Sequence, residues 1–373
     1  MIADTATLWW ELMAGPQLLI GKVADALYEG KNVLLQASGC LPWQDQMRDF
    51  LTHRISYTQI EPVRLHRGPA AQIVPQILRQ LHQSRVNRCP SDYRAQLAYL
   101  KGERIFQGSV IWIQLEPDCP AAPIAQLLSD FRGGGIEAGG ALILELPDTV
   151  PVPRLSAAAE VISCGKMVRF GDVRLFSSIL ADSDSKIPDP YKSYAAQLAT
   201  QLSGGDGELV PVLLQYLRPD EEPRDSLARL RQDMPEYAER LPNGAKLEQQ
   251  IWKAQLHTAF SEIEMARIQT VSEYADIIEK ALNTEYWDPK RDETGFIKQP
   301  GVTLTCSDDV ELGTLTFMMA VRQKSDHSQY LLYIPDEQMR NKIFFLHDCR
   351  NELAHHRSCQ SDKMWKLLMM FSA

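Results

Sequence analysis

The sequence predicts an α/β domain, with a parallel sheet flanked by helices, followed by an all-α helical domain. Three observations carry this. Short runs rich in branched apolar residues, such as Ser109-Val110-Ile111-Trp112-Ile113-Gln114-Leu115, alternate through the first half with segments of helical periodicity. Strands separated by helices pair in parallel, because a parallel pair needs a crossover long enough to return the chain to the same end of the sheet. A polar break rich in Asp, Ser and Pro spans 182–192, and beyond it the apolar spacing is helical.

Taken in order, Gln17 to Tyr28 places Ile20, Val23, Ala24 and Leu27 at helical spacing and is closed by Gly30. Asn32 to Ala37 is a short apolar strand, followed by a helix from Trp43 to His53 and a strand from Glu61 to Leu65. Ala70 to His82 reads as a helix whose first turns are weakened by Pro75, which has no N–H to donate. Ser109 to Leu115, Ala141 to Leu146 and Glu160 to Cys164 are strands of the buried type. After the break, Tyr191 to Leu202 and Leu209 to Leu217 are short helices, then a second polar break, Arg218 to Arg224, carries two prolines. Leu247 to Leu282 is a long helix that no Gly or Pro interrupts. The closing helices run from Asp336, a suitable N-cap, to His347 and from Ser361 to Phe371. The chain thus divides into 1–182, a helical linker region 183–244, and a helical domain 245–373.

Composition narrows the function. Seven scattered cysteines fit reduced thiols and a cytoplasmic setting better than a disulfide framework. There is no run of about 18 apolar residues, so no membrane span is expected, and the start, Met1-Ile2-Ala3-Asp4, lacks the basic region of a secretory signal. A net charge of −9 argues against a nucleic-acid surface spread over the whole chain. Acidic residues dominate 248–317, whereas 318–373 is slightly basic, so any RNA contact is expected near the tail; DNA is not an expected partner.

The strand and helix order of 20–180 resembles the core of P-loop NTPases of the AAA and STAND type, with Glu29-Gly30-Lys31-Asn32-Val33-Leu34-Leu35 as the lead-in strand. An unrelated α/β sheet is the alternative. The phosphate loop itself is missing. Ala37-Ser38-Gly39-Cys40-Leu41-Pro42-Trp43 has one glycine and no lysine, where close backbone approach and a cation are needed to cradle phosphates. The reading is a degenerate core that does not hydrolyse nucleotide, with no cofactor. Gly133-Gly134-Gly135 and Gly139-Gly140 lead into a strand rather than opening a helix, so they read as a flexible connection and not as a phosphate loop.

The tail carries the chemistry. In Arg350-Asn351-Glu352-Leu353-Ala354-His355 an arginine, an amide and a histidine fall within six residues. Arg and His together can cleave RNA without a metal: the imidazole takes the 2′-hydroxyl proton and the guanidinium holds the phosphate. The pattern resembles the R-N-x-x-x-H signature of HEPN domains, and the resemblance spans roughly 245–373. It implies Arg350 as phosphate stabiliser, Asn351 as positioning residue and His355 as acid or base. It also implies a cyclic-phosphate product and a site composed by two copies in a homodimer. Many HEPN-like domains serve only in dimerisation or binding, and the plain alternatives are an arginine paired with a helix carboxylate and a half-buried histidine.

The same spacing recurs at Arg48 to His53 and Arg322 to His327, and Arg340-Asn341 to His347 fits a longer form of the motif, so spacing alone carries little. His347, Cys349, His355, His356 and Cys359 include zinc-type ligands, but helical spacing scatters them and no metal is expected. Trp9-Trp10 read as buried aromatics or as a partner patch, the Met318-Met319 and Met369-Met370 pairs as core filling, and Asp308, Asp309 and Glu311 as a solvated cap. Two functions follow. One is a defence- or stress-related, metal-independent endoribonuclease regulated by a degenerate NTPase-like domain. The other is a non-catalytic adaptor in a multiprotein complex.

Overall fold

In a computed structural model the described residues are 4–37, 41–56, 58–116, 119–152, 154–288, 293–299, 302–304 and 306–372. The chain forms two compact units, Met1–Ser183 with Ser203–Val212, and Asp184–Leu202 with Leu213–Ala373. In the first, α1 (Ala14–Tyr28) leads into β1 (Asn32–Ala37), followed by α2 (Gln44–Arg54), β2 (Gln59–Leu65) and α3 (Ile73–Leu81). Next come α4 (Tyr93–Gly102), β3 (Ser109–Leu115), α5 (Ala121–Asp130), β4 (Ala141–Pro147), β5 (Ala159–Ser163) and α6 (Phe170–Ser183). All sheet pairings are parallel and the order is β2-β3-β4-β1-β5. The chain leaves β1 for one edge and later comes back past it to the other. That creates a topological switch, the place where open α/β sheets hold ligands at their carboxyl ends.

Both faces of the sheet are covered, which explains the continuous apolar runs. Leu34, Ile111, Ile113, Leu142 and Leu144 pack with Ile73, Val74, Ile77 and Leu78 of α3 and Ile124, Leu127 and Leu128 of α5. Each such buried side chain contributes about 1.5–3 kcal/mol. Alternate residues Val33, Leu35, Trp112 and Ile143 are buried on the other face, where α1 packs on β1 and β5. Asn32, almost fully buried, ties three elements together. Its amide donates to the carbonyls of Leu128 (2.9 Å) and Phe131 (2.7 Å), and its oxygen accepts from the Leu142 N–H at 2.9 Å.

The glycine stretch enters a strand, as its order suggests, but it is a tight knot. Gly135 and Gly140 form a bridge, and Gly140 has φ +87° with Phe106 directly beside it. A Cβ on Gly133 would overlap the Gly140 carbonyl. The edge strand β2 is closed off by side chains of α3. Gln80 accepts from Arg64 N (3.1 Å) and donates to Arg64 O (2.7 Å), and Gln76 does the same with His66 at 3.0 and 3.3 Å. Trp9 and Trp10 are not a surface patch. Both are buried, and Trp9 lies edge-on to Phe176 at 5.1 Å.

The second unit is mainly helical. It contains α7 (Asp189–Ser203, all but its last residue), the end of α8 (Leu209–Tyr216), α9 (Pro223–Asp233), α10 (Gly244–Glu273) and α11 (Ala275–Leu282). One proline of the second polar break has a local role: Pro223 opens α9, where its missing N–H costs nothing. The long helix breaks at Tyr274 (φ −111°, ψ 20°), with no Gly or Pro to signal it. Short strands β6 (Tyr286–Asp288), β7 (Glu293–Gly295) and β10 (Arg322–Gln323) make a small antiparallel sheet, and β8 (Lys298–Gln299) pairs with β9 (Val302–Thr303). Then come α12 (Leu312–Ala320), α13 (Glu337–Ala354) and α14 (Ser361–Ser372). Asp336 caps α13, accepting from the Gln338 N–H at 2.8 Å. No described helix is long and apolar enough to cross a membrane.

Candidate functional site

Two places could carry chemistry. The first is the switch point of the parallel sheet. Register sets Leu35 of β1 beside Glu145 of β4, and Ile113 of β3 beside Leu144, so Gln114 and Glu145 end up at neighbouring strand ends. Trp112 Nε1 donates to Glu145 Oε2 at 3.2 Å and Gln114 Nε2 donates to the same oxygen at 3.3 Å. Gln114 also donates to Gln44 Oε1 at 2.7 Å, and Gln44, the first residue of α2, donates to Glu145. Gln44, Trp112, Gln114 and Glu145 therefore satisfy one another. The N-terminus of a helix attracts anions, and here a carboxylate from β4 already meets the first residue of α2. A second acid in that turn, Asp45, pairs with Arg48. The loop residues Ser38, Gly39 and Cys40, on which the missing phosphate cradle was read, lie outside the described residues. Nearby, burial and then the Glu145 charge push the Cys164 thiol up to about 12, which leaves it protonated and inert at neutral pH.

The second place is the end of α13. Arg350 and Asn351 are half-buried, on its penultimate turn, and His355 is the exposed C-cap. Five residues of helix turn the chain by roughly 140° beyond one full revolution, so Arg350 and His355 start on different faces. Asn351 does not reach forward to His355. Its Nδ2 pairs with His347 Nε2 at 2.9 Å, one turn back. His347, Arg350 and Asn351 stand three and four apart and share a face. The histidine that the structure sets beside Asn351 is thus His347, and not the His355 of the sequence pattern. The only signal for it was helical i,i+4 spacing.

Arg350 lines a cavity of about 430 Å³ together with Arg267 and four acids, Glu264, Asp308, Asp309 and Glu311. His355 is not among its walls. Arg350 Nη2 lies 3.5 Å from Glu311 Oε2, while Arg267 donates to the Val310 carbonyl at 3.0 Å and pairs with Glu264 at 2.8 Å. The three acids read as a solvated cap thus face two arginines. A phosphate entering this cavity meets four carboxylates, which opposes the role the pattern implies for Arg350.

The turn after α13 is firmly held. His356 has φ +57° and stacks on Trp252 at 4.5 Å, and Trp252 Nε1 donates to the Leu353 carbonyl at 2.7 Å. Gln255, buried on α10, donates to the Cys359 carbonyl (2.9 Å) and the Tyr194 hydroxyl (3.1 Å), and accepts from the Cys359 N–H (2.7 Å). Cys349 and Cys359 are buried while His355 and His356 are exposed, so these zinc-type side chains diverge. The hydrogen bond from Cys359 lowers the Cys349 thiol pKa, and the same bond raises that of Cys359. A cationic His355 or Arg357 at this point would complement the carboxyl end of the helix dipole, a structural role that needs no substrate.

No family model matches the chain, and no curated protein matches it. Among solved structures it is similar to the Holliday junction branch migration motor RuvB of Thermotoga maritima. The identity is 12%, the TM-score 0.33, and the match covers 64% of this chain and 76% of that one. It is also similar to the ORC2 protein of Aeropyrum pernix, at 12% identity and TM-score 0.33, over 91% of this chain and 93% of that one. Likenesses of this strength transfer no residue and no activity. The parallel α/β unit and the helical unit stand on their own geometry.

Proposed function

We propose that the protein is a non-catalytic adaptor: an α/β core of P-loop type that has lost nucleotide binding, joined to a helical domain that docks on a partner protein or a second copy of itself. The observation that carries this reading is the cluster at the switch point. Gln44, Trp112, Gln114 and Glu145 use their hydrogen bonds on each other, and the cluster contributes a carboxylate and no cation. A triphosphate there would break those bonds and approach a negative charge, with no lysine in 37–43 to offset it. Calorimetric titration of the full chain carrying Lys280→Glu, which removes the cation of a separate cavity in the helical unit, with ATP and Mg²⁺ is expected to show no saturable binding up to about 1 mM, where even a weak site would yield about 4 kcal/mol. A saturable isotherm below that concentration sinks the reading.

A second reading, a metal-independent HEPN-type endoribonuclease in a defence- or stress-related protein, is favoured by one observation. His347, Asn351 and Arg350 share a face, and among the described residues Arg350 pairs with the exposed Glu311, the kind of weak pair that a phosphate can displace. In that reading Arg350 holds the phosphate, Asn351 positions it, and His347 or His355 moves the 2′-hydroxyl proton. Paired copies would complete the site. The test is cleavage of RNA in excess EDTA by the protein and its Arg350→Ala, His347→Ala and His355→Ala variants. The adaptor reading expects no cleavage by any of them. Cleavage that persists in EDTA and drops about 100-fold or more in Arg350→Ala would transfer the assignment to the ribonuclease, and the inactive histidine variant would name the proton carrier.

A further inference from the structure

A cavity of about 540 Å³ in the helical unit belongs to neither reading. One wall is α11 and the residues just after it, with Lys280 and Thr284; the other is the end of β10 and the segment that follows, with Gln323, Ser328, Tyr330 and Tyr333. Its size suits a ligand of one nucleotide. Its chemistry has a sign. Among the described residues no carboxylate lines it, and Lys280 is exposed with no ion-pair partner, although the unit around it is rich in acids. The Thr284 and Ser328 hydroxyls donate to the Lys280 carbonyl (2.8 Å) and to Asp326 (2.6 Å), so toward a ligand their oxygens act as acceptors for base or ribose groups.

The aromatic rings are preset. Arg322 lies 3.7 Å from the Tyr330 ring centre and also donates to the Ser328 carbonyl at 3.0 Å. Arg340 lies 5.4 Å from the Tyr333 ring centre and donates to the Ile334 carbonyl at 2.6 Å. Gln323 Nε2 holds the Tyr330 carbonyl at 3.2 Å. Rings fixed in this way lose little freedom when a planar group stacks on them.

We infer that this cavity binds a nucleoside phosphate, with the base against Tyr330 and Tyr333 and the phosphate on Lys280. An aromatic platform beside an unpaired cation is the arrangement that takes a nucleotide without reading its sequence. The ligand is either a free mononucleotide or one unit of a single strand. Arg350 plays no part, so cleavage can fail while binding holds.

The test uses the full chain and a fluorescein-labelled 2′-O-methyl oligouridine, which cannot be cut, read by anisotropy, with uridine 5′-monophosphate as competitor. Saturable binding is expected, weakened about tenfold or more by Lys280→Glu and by Tyr333→Ala, and kept within about threefold by Lys280→Arg. Lys280→Glu should also lower the slope of log affinity against log salt by about one. Both residues are exposed, so unchanged thermal melting separates lost binding from lost folding. Efficient competition by the mononucleotide identifies a free nucleotide as the ligand, and a much tighter oligomer identifies a strand. No saturable binding of either probe, or a Lys280→Glu variant that binds like the parent, overturns the inference.

Discussion

Gly140→Ala is expected to destabilise the α/β unit by about 2–5 kcal/mol, one of the two largest single-residue effects we anticipate. Gly140 has φ +87°, a conformation that costs an L-residue free energy in itself, and a Cβ there would overlap the Phe106 backbone carbonyl. Backbone cannot swing aside as a long side chain can. Relief would have to come from moving β4, which is fixed in the parallel ladder with β3, or the turn that leads into β3. Urea unfolding followed by circular dichroism checks this, with Gly21→Ala as the control. Gly21 lies inside α1 with open space around it and no positive φ, so its alanine variant should gain about 0.5–1 kcal/mol. If the two variants unfold alike, the packing account of the glycine knot is wrong.

Gln255→Met should cost the helical unit about 3 kcal/mol or more, because it keeps the volume and deletes three hydrogen bonds at once. The Cys359 N–H, the Cys359 carbonyl and the Tyr194 hydroxyl would be left without their partner in a buried place. The loss has a local consequence, since Gln255, together with Trp252, joins α10 to the turn between α13 and α14. Hydrogen exchange at the Cys359 amide should accelerate far more than at amides in the middle of α10. Equal acceleration everywhere would mean that Gln255 acts on global stability and not on the turn.

The parts of the fold legible in the sequence are those fixed by local pattern. Asn32–Ala37 and Ser109–Leu115 are strands with the bounds the apolar runs suggest, because a strand covered on both faces has no polar alternation to blur it. Asp336 is readable as a cap for the same reason, since its partners lie two and three residues ahead. What failed depends on register between distant segments. Glu145 meets Gln44 and Trp112 only because β3 and β4 align as they do, and nothing near residue 145 announces it. The Gly133–Gly140 stretch reads as a flexible connection until Phe106 is placed against it. At the tail, Arg350 and Asn351 are legible as a pair. Whether Asn351 turns to His347 or His355 is decided by a side-chain torsion, and the cavity that encloses Arg350 is built from acids some forty residues earlier and from α10.

The side chains of Gln76 and Gln80 bear on how this protein behaves in a crowded solution. An open sheet edge is a template for another chain, and its exposed peptide groups are what amyloid and edge-to-edge oligomers use. Gln76 and Gln80 stand one helical turn apart and bind the backbone of His66 and Arg64, two residues apart, so their amides act as peptide groups of a strand that is not there. Pro62 in the same strand adds a position with no N–H to offer. The edge is thus occupied by the molecule's own helix, and β2 is withheld from intermolecular pairing for as long as α3 stays folded against it.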